Sequence, residues 1–312
     1  MARISRLGTV LLVVLSVTSS VSGCDGDFEG TPVRIAAGVR GGVYHNLSLS
    51  LSATWREQLG IEAPEVLETS GSPDNMGKLM AGEADIAFSA ADVAAEPTTV
   101  KSKTKALARI HDDYLHVVVR RDGPIEDLTG LTGKRVSVGA DESGVAFIAE
   151  RLLNQAKLDR PDTLTRHHLG LTDSARAFRA NEIDAFFWSG GLPTTTITDL
   201  AAVVPLRLLD IGAYLRDMRD IYSVYDSASI PVSTYQLQGS AVNTLAVPNY
   251  LMVTDSMPDD VAEALVRGMF DAQDALAEAN PAALAIDIHS AIETEPVDLH
   301  PGAARYYREE KV

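Results

Sequence analysis

VRIAAGVRGGVYHNLSL, residues 33–49, decides the fold. A short apolar stretch, Val33 to Ala37, leads into a turn holding Gly38, Gly41 and Gly42. Leu47, Leu49 and Leu51 alternate with serines as a strand would, but Leu47, Leu51, Trp55 and Leu59 also form a strict i+4 series closed by Gly60, and the longer series predicts a helix. The order is therefore strand, glycine-bearing turn, helix. About one hundred residues on, RVSVGADESGVAFIAERLL (135–153) repeats it. KLMAGEADIAFSAADV (78–93) is likewise echoed by AFRANEIDAFFWSGGL (177–192), each a helix end, an acidic turn and a strand dissolving into small polar residues. The chain uses one construction twice.

Short β-like runs alternate with helical ones throughout, the pattern of an α/β fold with largely parallel strands. The clearest strands are 33–38, 84–90, 115–120, 135–140, 183–188 and 245–253. Ser72-Pro73 predicts a capped helix with Met76, Leu79 and Met80 on one face and Gly82 as its stop. Pro258 opens another, with Val261, Leu265, Met269 and Leu276 as a buried stripe and Asn280-Pro281 as its end. In open α/β sheets ligands bind beyond the carboxyl ends of strands, where turns and helix N-termini present free N–H groups. Two lobes built alike would face such loops across a cleft.

Residues 1–23 stand apart. Arg3 and Arg6 precede an apolar core, Leu7 to Val17, and Val21-Ser22-Gly23 lead to Cys24, the chain's only cysteine. This reads as a lipoprotein signal peptide, with Cys24 as the lipidated first residue of the mature chain and residues 24–32 as a polar tether. The apolar run is too short to span a bilayer, so the protein is expected to be exported and anchored by lipid to the outer face of the cytoplasmic membrane. Cleavage would leave 25 basic against 43 acidic side chains, a surface that repels phosphate backbones and argues against nucleic acid as a partner. The remaining length suits two domains.

Candidate binding residues cluster at the ends of the echoed units. In the opening turn Gly41 and Gly42 let the backbone approach a ligand, Tyr44 offers a hydroxyl and Arg40 a planar fork for a carboxylate. Ser70, Ser72 and Asn75 lie at a helix start, where a carboxylate gains hydrogen bonds and the helix dipole. Ser72 and Asp92 read equally well as helix caps. Ser89 and Asp92 follow a buried strand, Ser143 precedes the helix of the second unit, and Trp188, Gly190 and Gly191 make an aromatic wall beside flexible residues. No HExxH, GxSxG, Walker or CxxC motif is present, and Ser102/Lys105 is a chance S-x-x-K match. The seven histidines are dispersed or adjacent, without the spacing of a metal set. These absences speak against an enzyme.

The glycine-rich turn at 38–44, TSGSPDNMGKLMAGEADIAF (69–88), LTGLTGKRVSVGADESG (128–144), IDAFFWSGGLP (183–193), VPNYLMVTDSMPDDV (247–261) and LHPGAARYYRE (299–309) together resemble the TAXI group of substrate-binding receptors of tripartite ATP-independent periplasmic (TRAP) transporters. The resemblance implies a two-lobed periplasmic binding protein of type II-like fold, with two hinge crossings and an interlobe ligand cleft. It implies one lobe from 33–117 and 243–312 and the other from 118–242. The implied ligand is a small carboxylate or amino acid, glutamate- or glutamine-like, held by Tyr44, Ser70, Ser72, Asn75, Ser89, Ser143 and the Trp188–Gly191 segment and delivered to a TRAP permease. The implied receptor is monomeric and needs no cofactor, and a divalent cation entering with the ligand stays open. Three departures bear on the ligand: Arg40 intrudes in the opening turn, His45 stands where the family carries a second tyrosine, and Ser89-Ala90-Ala91-Asp92 stands where the family often carries a glutamine. A surface-anchored sensor signalling to a membrane kinase is the alternative use of the same module.

Overall fold

The computed structural model describes residues 33–97, 99 and 103–312. The expected signal peptide, Cys24, the tether up to residue 32 and Ser102 lie outside the described residues.

Strand β1 (Arg34–Ala36) runs through the opening turn into α1 (Val43–Leu59), which ends on Gly60 in the left-handed conformation (φ 65°). The i+4 series wins because Leu47, Leu51 and Trp55 are all buried on one side, and the Trp55 indole N–H donates to the Leu265 carbonyl at 3.1 Å. Burying side chains of this size contributes roughly 1.5–3 kcal/mol each. β2 (Glu65–Leu67), α2 (Ser72–Met80), β3 (Ile86–Ala90) and the single-turn α3 (Ala91–Ala94) complete the first unit.

The second unit repeats it with β5 (Arg135–Ser137), α4 (Gly144–Gln155), β6 (Thr165–His167), α5 (Leu171–Arg179) and β7 (Ala185–Gly190). In each unit the first strand pairs in parallel with the two that follow. The echo extends to single atoms. Arg34 donates its backbone N–H to Asp85 at 2.8 Å and closes an ion pair with the same carboxylate, and Arg135 does the same with Asp184 at 2.9 Å. Each acidic turn thus ties its third strand to its first.

The expectation of largely parallel strands needs correction. Between the two parallel sets run β4 (Thr104–Arg120) and β10 (Val242–Thr254), long antiparallel strands that serve both. The sheet order is β2-β1-β3-β10-β4-β7-β5-β6, with β8 (Leu206–Leu208) on β4 and β9 (Asp226–Ile230) on β10. β10 pairs with β3 through Asn249–Met252, whereas β4 pairs with β7 through Tyr114–Val119. The chain therefore crosses twice between two lobes. Each lobe has its own apolar core, one around Ile35, Trp55, Phe88 and Leu265, the other around Val136, Leu152, Phe187 and Tyr225.

Three local expectations change. The run from Pro258 breaks at Ala272 into Asp259–Asp271 and Gln273–Ala279. Met80 faces outward. Ser72 is not a helix cap: Gly71 holds that position without a side-chain cap. The Ser72 hydroxyl instead accepts from the Ala90 N–H at 2.9 Å, across to the end of β3.

Candidate functional site

Each carboxyl-end turn is stapled from within. Gly38, with φ 76°, donates its N–H to Thr69 Oγ1 at 2.8 Å, and Thr69 returns its own N–H to the Gly38 carbonyl at 3.1 Å. The Thr69 hydroxyl donates to Asn75 Oδ1, and Asn75 Nδ2 donates to the Phe88 carbonyl at 2.8 Å. The buried Asn75 thus ties the loops after β1 and β2 to β3. Ser70 donates its N–H to Asp74 at 2.9 Å, and the buried Ser89 hydroxyl turns along its own strand to the Ala90 carbonyl at 3.1 Å.

Tyr44, in the first turn of α1, stacks on Phe88 with ring centroids 5.1 Å apart. Its hydroxyl donates to Asn249 Oδ1 on β10 and lies 3.4 Å from Ser72 Oγ. Burial, then the nearby Asp113 charge, push its phenol well above the usual range, so it is a neutral donor.

From the other lobe, Ser143 caps α4, accepting from the Ala146 N–H at 3.1 Å and donating to the Ala140 carbonyl at 2.6 Å. A Cβ placed on Gly71 would lie 3.5 Å from the Gly144 nitrogen and 3.6 Å from Ser143 Cα; one on Gly144 would lie 3.4 Å from Ser72 Oγ. The N-termini of α2 and α4 meet there, and the cleft is closed.

A second contact flanks the first. Asp92, buried within α3, accepts from the Tyr225 hydroxyl at 2.7 Å and from the Val93 N–H at 2.9 Å. Burial pushes its carboxyl up to about 6, against the pull of Tyr225 and Arg151. Arg151 of α4 pairs with Glu96, donates to the Tyr225 hydroxyl at 3.0 Å and lies 3.9 Å over the Tyr222 ring. Asp92 is thus tied to the opposite lobe.

Trp188, half-buried near the end of β7, donates its indole N–H to Thr194 Oγ1 at 3.0 Å, and that hydroxyl donates to the Gly191 carbonyl at 2.9 Å. Gly190 is required by the indole, since a Cβ there would lie 2.6 Å from Trp188 Nε1. Beneath it His116 joins Tyr114 and Tyr235: Nδ1 lies 2.7 Å from the Tyr114 carbonyl, which only accepts, so Nε2 accepts from the Tyr235 hydroxyl at 2.8 Å. The Thr194 N–H donates to Tyr235 at 3.0 Å. Burial lowers the imidazole to about 4, which keeps it neutral and holds this wall in place.

Arg40 departs from its expected place as a carboxylate clamp. Its side chain is 78% exposed and pairs with Glu68 at the rim, because Gly41 and Gly42 turn the backbone inward while the long side chain follows solvent. Arg40→Ala is expected to leave ligand affinity within about twofold, as for exposed pairs generally, measured by calorimetric titration. Gly42 donates its N–H to the Val39 carbonyl at 3.0 Å and opens α1. His45 is buried in the first turn of α1, its Nδ1 without a hydrogen bond.

Five residues of this region escaped the sequence reading: Asn249, His111, Asp113, Arg151 and Tyr225. Asn249 is marked only as a polar side chain inside the strand-like run 245–253, while His111 and Asp113 precede the run at 115–120 in a stretch whose mixed charge hides its strand character. Arg151 and Tyr225 carried none, since their partners are 55 and 133 residues away. Among the described residues no three histidine, cysteine or acidic side chains gather to hold a metal ion, and no helix is long and apolar enough to cross a membrane.

Solved structures share this architecture. XAC2383 from Xanthomonas citri, bound to ATP, is 16% identical over 90% of this chain and 95% of its own, with a TM-score of 0.53. The GluR0 ligand-binding core from Nostoc punctiforme, in complex with L-glutamate, is 14% identical over 80% and 99%, with a TM-score of 0.50. A putative L-cystine ABC transporter protein from Listeria monocytogenes is 12% identical over 81% and 95%, also with a TM-score of 0.50. At such identities the likeness is one of fold, and it is the two-lobed periplasmic binding protein fold. The sequence itself matches one family model across residues 35–310, and the chain belongs to the NMT1-like family.

Proposed function

We propose that this chain is an extracytoplasmic solute-binding receptor that closes over a small carboxylate or amino acid and hands it to a membrane permease. The observation that carries the reading is the meeting of two helix N-termini, α2 at Gly71-Ser72 and α4 at Ser143-Gly144, across a double-stranded hinge. Two positive helix ends brought together favour an anion, at a site that exists only when the lobes are together. A ligand touching both favours the closed state by the difference in its contacts, and that difference is the signal a permease can read. Tyr44, Ser70, Ser72, Asn75, Ser89, Ser143 and the Trp188–Gly191 wall surround the site. The lobes are taken as 33–117 with 243–312, and 118–242.

Within this reading the TAXI-like motifs make a TRAP permease the recipient. Lipid on Cys24 keeps the receptor, a monomer, beside it by raising local concentration. The constellation holds no nucleophile, base and orienting group in sequence, so binding without turnover is the activity.

Calorimetry of the full chain in mild detergent against L-glutamate, L-glutamine and 2-oxoglutarate, with and without calcium, tests the reading. Saturable binding is expected, and at one hundred times Kd a ligand should stabilise the fold by about 2.7 kcal/mol. Neither heat nor thermal shift with any of them would refute it.

A further inference from the structure

The hinge strand carries a carboxylate, Asp113, that among the described residues has no lysine or arginine beside it. Asp113 lies on β4 opposite Val247 of β10, one residue before β4 begins to pair with β7, its side chain only 16% exposed. Among the described residues no lysine or arginine comes within 4.0 Å of it; its one charged-type neighbour is His111, with Nε2 at 3.3 Å from Oδ1. The basic side chains of the region are engaged elsewhere: Arg40 with Glu68, Arg109 with Asp112 and Glu293, Arg151 with Glu96.

His111 supplies an independent observation. It is 3% exposed, and neither ring nitrogen makes a hydrogen bond. It faces the same cluster as the binding residues already described. It is the register partner of Asn249, which accepts from Tyr44, and its ring packs edge-on to Tyr44 at 6.0 Å. Tyr44, Asn249, His111 and Asp113 therefore form one continuous, largely buried cluster at the hinge strands.

A nearly buried carboxylate with no lysine or arginine beside it, 3.3 Å from a buried imidazole that makes no hydrogen bond, is an unfavourable arrangement in isolation. A ligand cation satisfies both at once, donating one hydrogen bond to Asp113 and another to the free ring nitrogen. We propose that Asp113, backed by His111, receives an ammonium group of the ligand, so that the substrate class is the amino acid and not the simple dicarboxylate. This rests on the receptor reading above and deepens it. The facing helix N-termini of α2 and α4 take the carboxylate, and the hinge strand takes the amine.

The test is calorimetric titration of the full chain in mild detergent with three probe sets. L-Glutamate and L-glutamine carry both groups, glutarate and 2-oxoglutarate lack the amine, and 1,4-diaminobutane lacks the carboxylate. The amino acids are expected to bind at least tenfold tighter than the deaminated acids. Asp113→Asn is expected to weaken the amino acids by about 10- to 100-fold and not to weaken the deaminated acids, whose repulsion from the carboxylate it removes. Equal binding of the deaminated acids, or an Asp113→Asn variant with undiminished amino-acid affinity, overturns the inference while the receptor reading stands. Binding of diaminobutane alone supports the ammonium site and removes the carboxylate from the receptor reading. No binding in any set overturns both. The wild-type comparison decides by itself if Asp113→Asn does not fold.

Discussion

Asp92→Asn is expected to make the protein acid-labile between pH 6.5 and 4, and His116→Gln to make it more stable over the same interval, whereas the wild-type contributions of the two groups nearly cancel. The Asp92 carboxyl rises from an ordinary 3.8 to about 6 in the fold, chiefly through burial. Between those values the folded chain holds a proton that the unfolded chain has lost. Its favourable contribution is therefore fully present below pH 3.8 and lost as pH rises through 6. His116 runs the other way, falling from 6.5 to about 4 through burial. Its contribution is fully present above pH 6.5 and lost as pH falls through 4. Each displacement corresponds to about 3 kcal/mol.

The two windows overlap almost completely and their slopes oppose. Removing either group exposes the other. Asparagine keeps the shape of Asp92 without the charge, and glutamine keeps an acceptor where His116 Nε2 meets Tyr235. Thermal melts at pH 4 to 7.5, read as differences from wild type so that exposed carboxylates common to both drop out, should show Asp92→Asn losing roughly 6–10 °C on acidification. His116→Gln should gain a similar amount relative to wild type. Profiles parallel to wild type for either variant would show that its group does not titrate as its burial requires.

The duplicated unit was legible in the sequence because its signals are local. A strand's alternation, a glycine turn and an i+4 stripe each span fewer than twenty residues, and they recur at 33–49 and 135–153. The same locality explains what was missed. The first half of β4, KALARIHDDY at 105–114, mixes charge and apolarity because it lies between β10 and the loop at Ala291, with partners far along the chain. A hinge strand also changes neighbours midway, so neither face keeps one pattern. At the site, Gly38 is visible as a turn residue and Ser143 as a residue preceding its helix, where it does cap. Ser72 was misread because Ser-Pro at a helix start ordinarily caps, and only the tertiary fold brings the Ala90 N–H within 2.9 Å of its hydroxyl. Arg40 was misread because an arginine in a glycine turn looks aimed at ligand until Glu68 is seen beside it.

Arg151→Ala is expected to open the protein. The guanidinium belongs to α4 of one lobe and is 12% exposed, yet its carboxylate partners, Glu96 by ion pair and Asp92 through Tyr225, follow β3 of the other. Its planar face also covers Tyr222 at 3.9 Å and Phe147 at 4.3 Å. Removing one side of a buried charge pair typically costs 3–5 kcal/mol, but Glu96 is 36% exposed and recovers water when freed, so about 2–3 kcal/mol is the appropriate expectation. Separating the lobes rehydrates Asp92 and Glu96 without unfolding either core. The loss therefore falls on the equilibrium between closed and open forms, not on global stability. Small-angle scattering of the unliganded variant should show a larger radius of gyration than wild type, and ligand affinity should drop by about 10- to 100-fold as the competent closed fraction falls. Arg151→Lys, which keeps the charge but loses the stacked plane and the two-point geometry, should lie between. An unchanged radius together with unchanged affinity would mean that the facing helix ends alone hold the lobes together, and that Arg151 merely fills the seam they create.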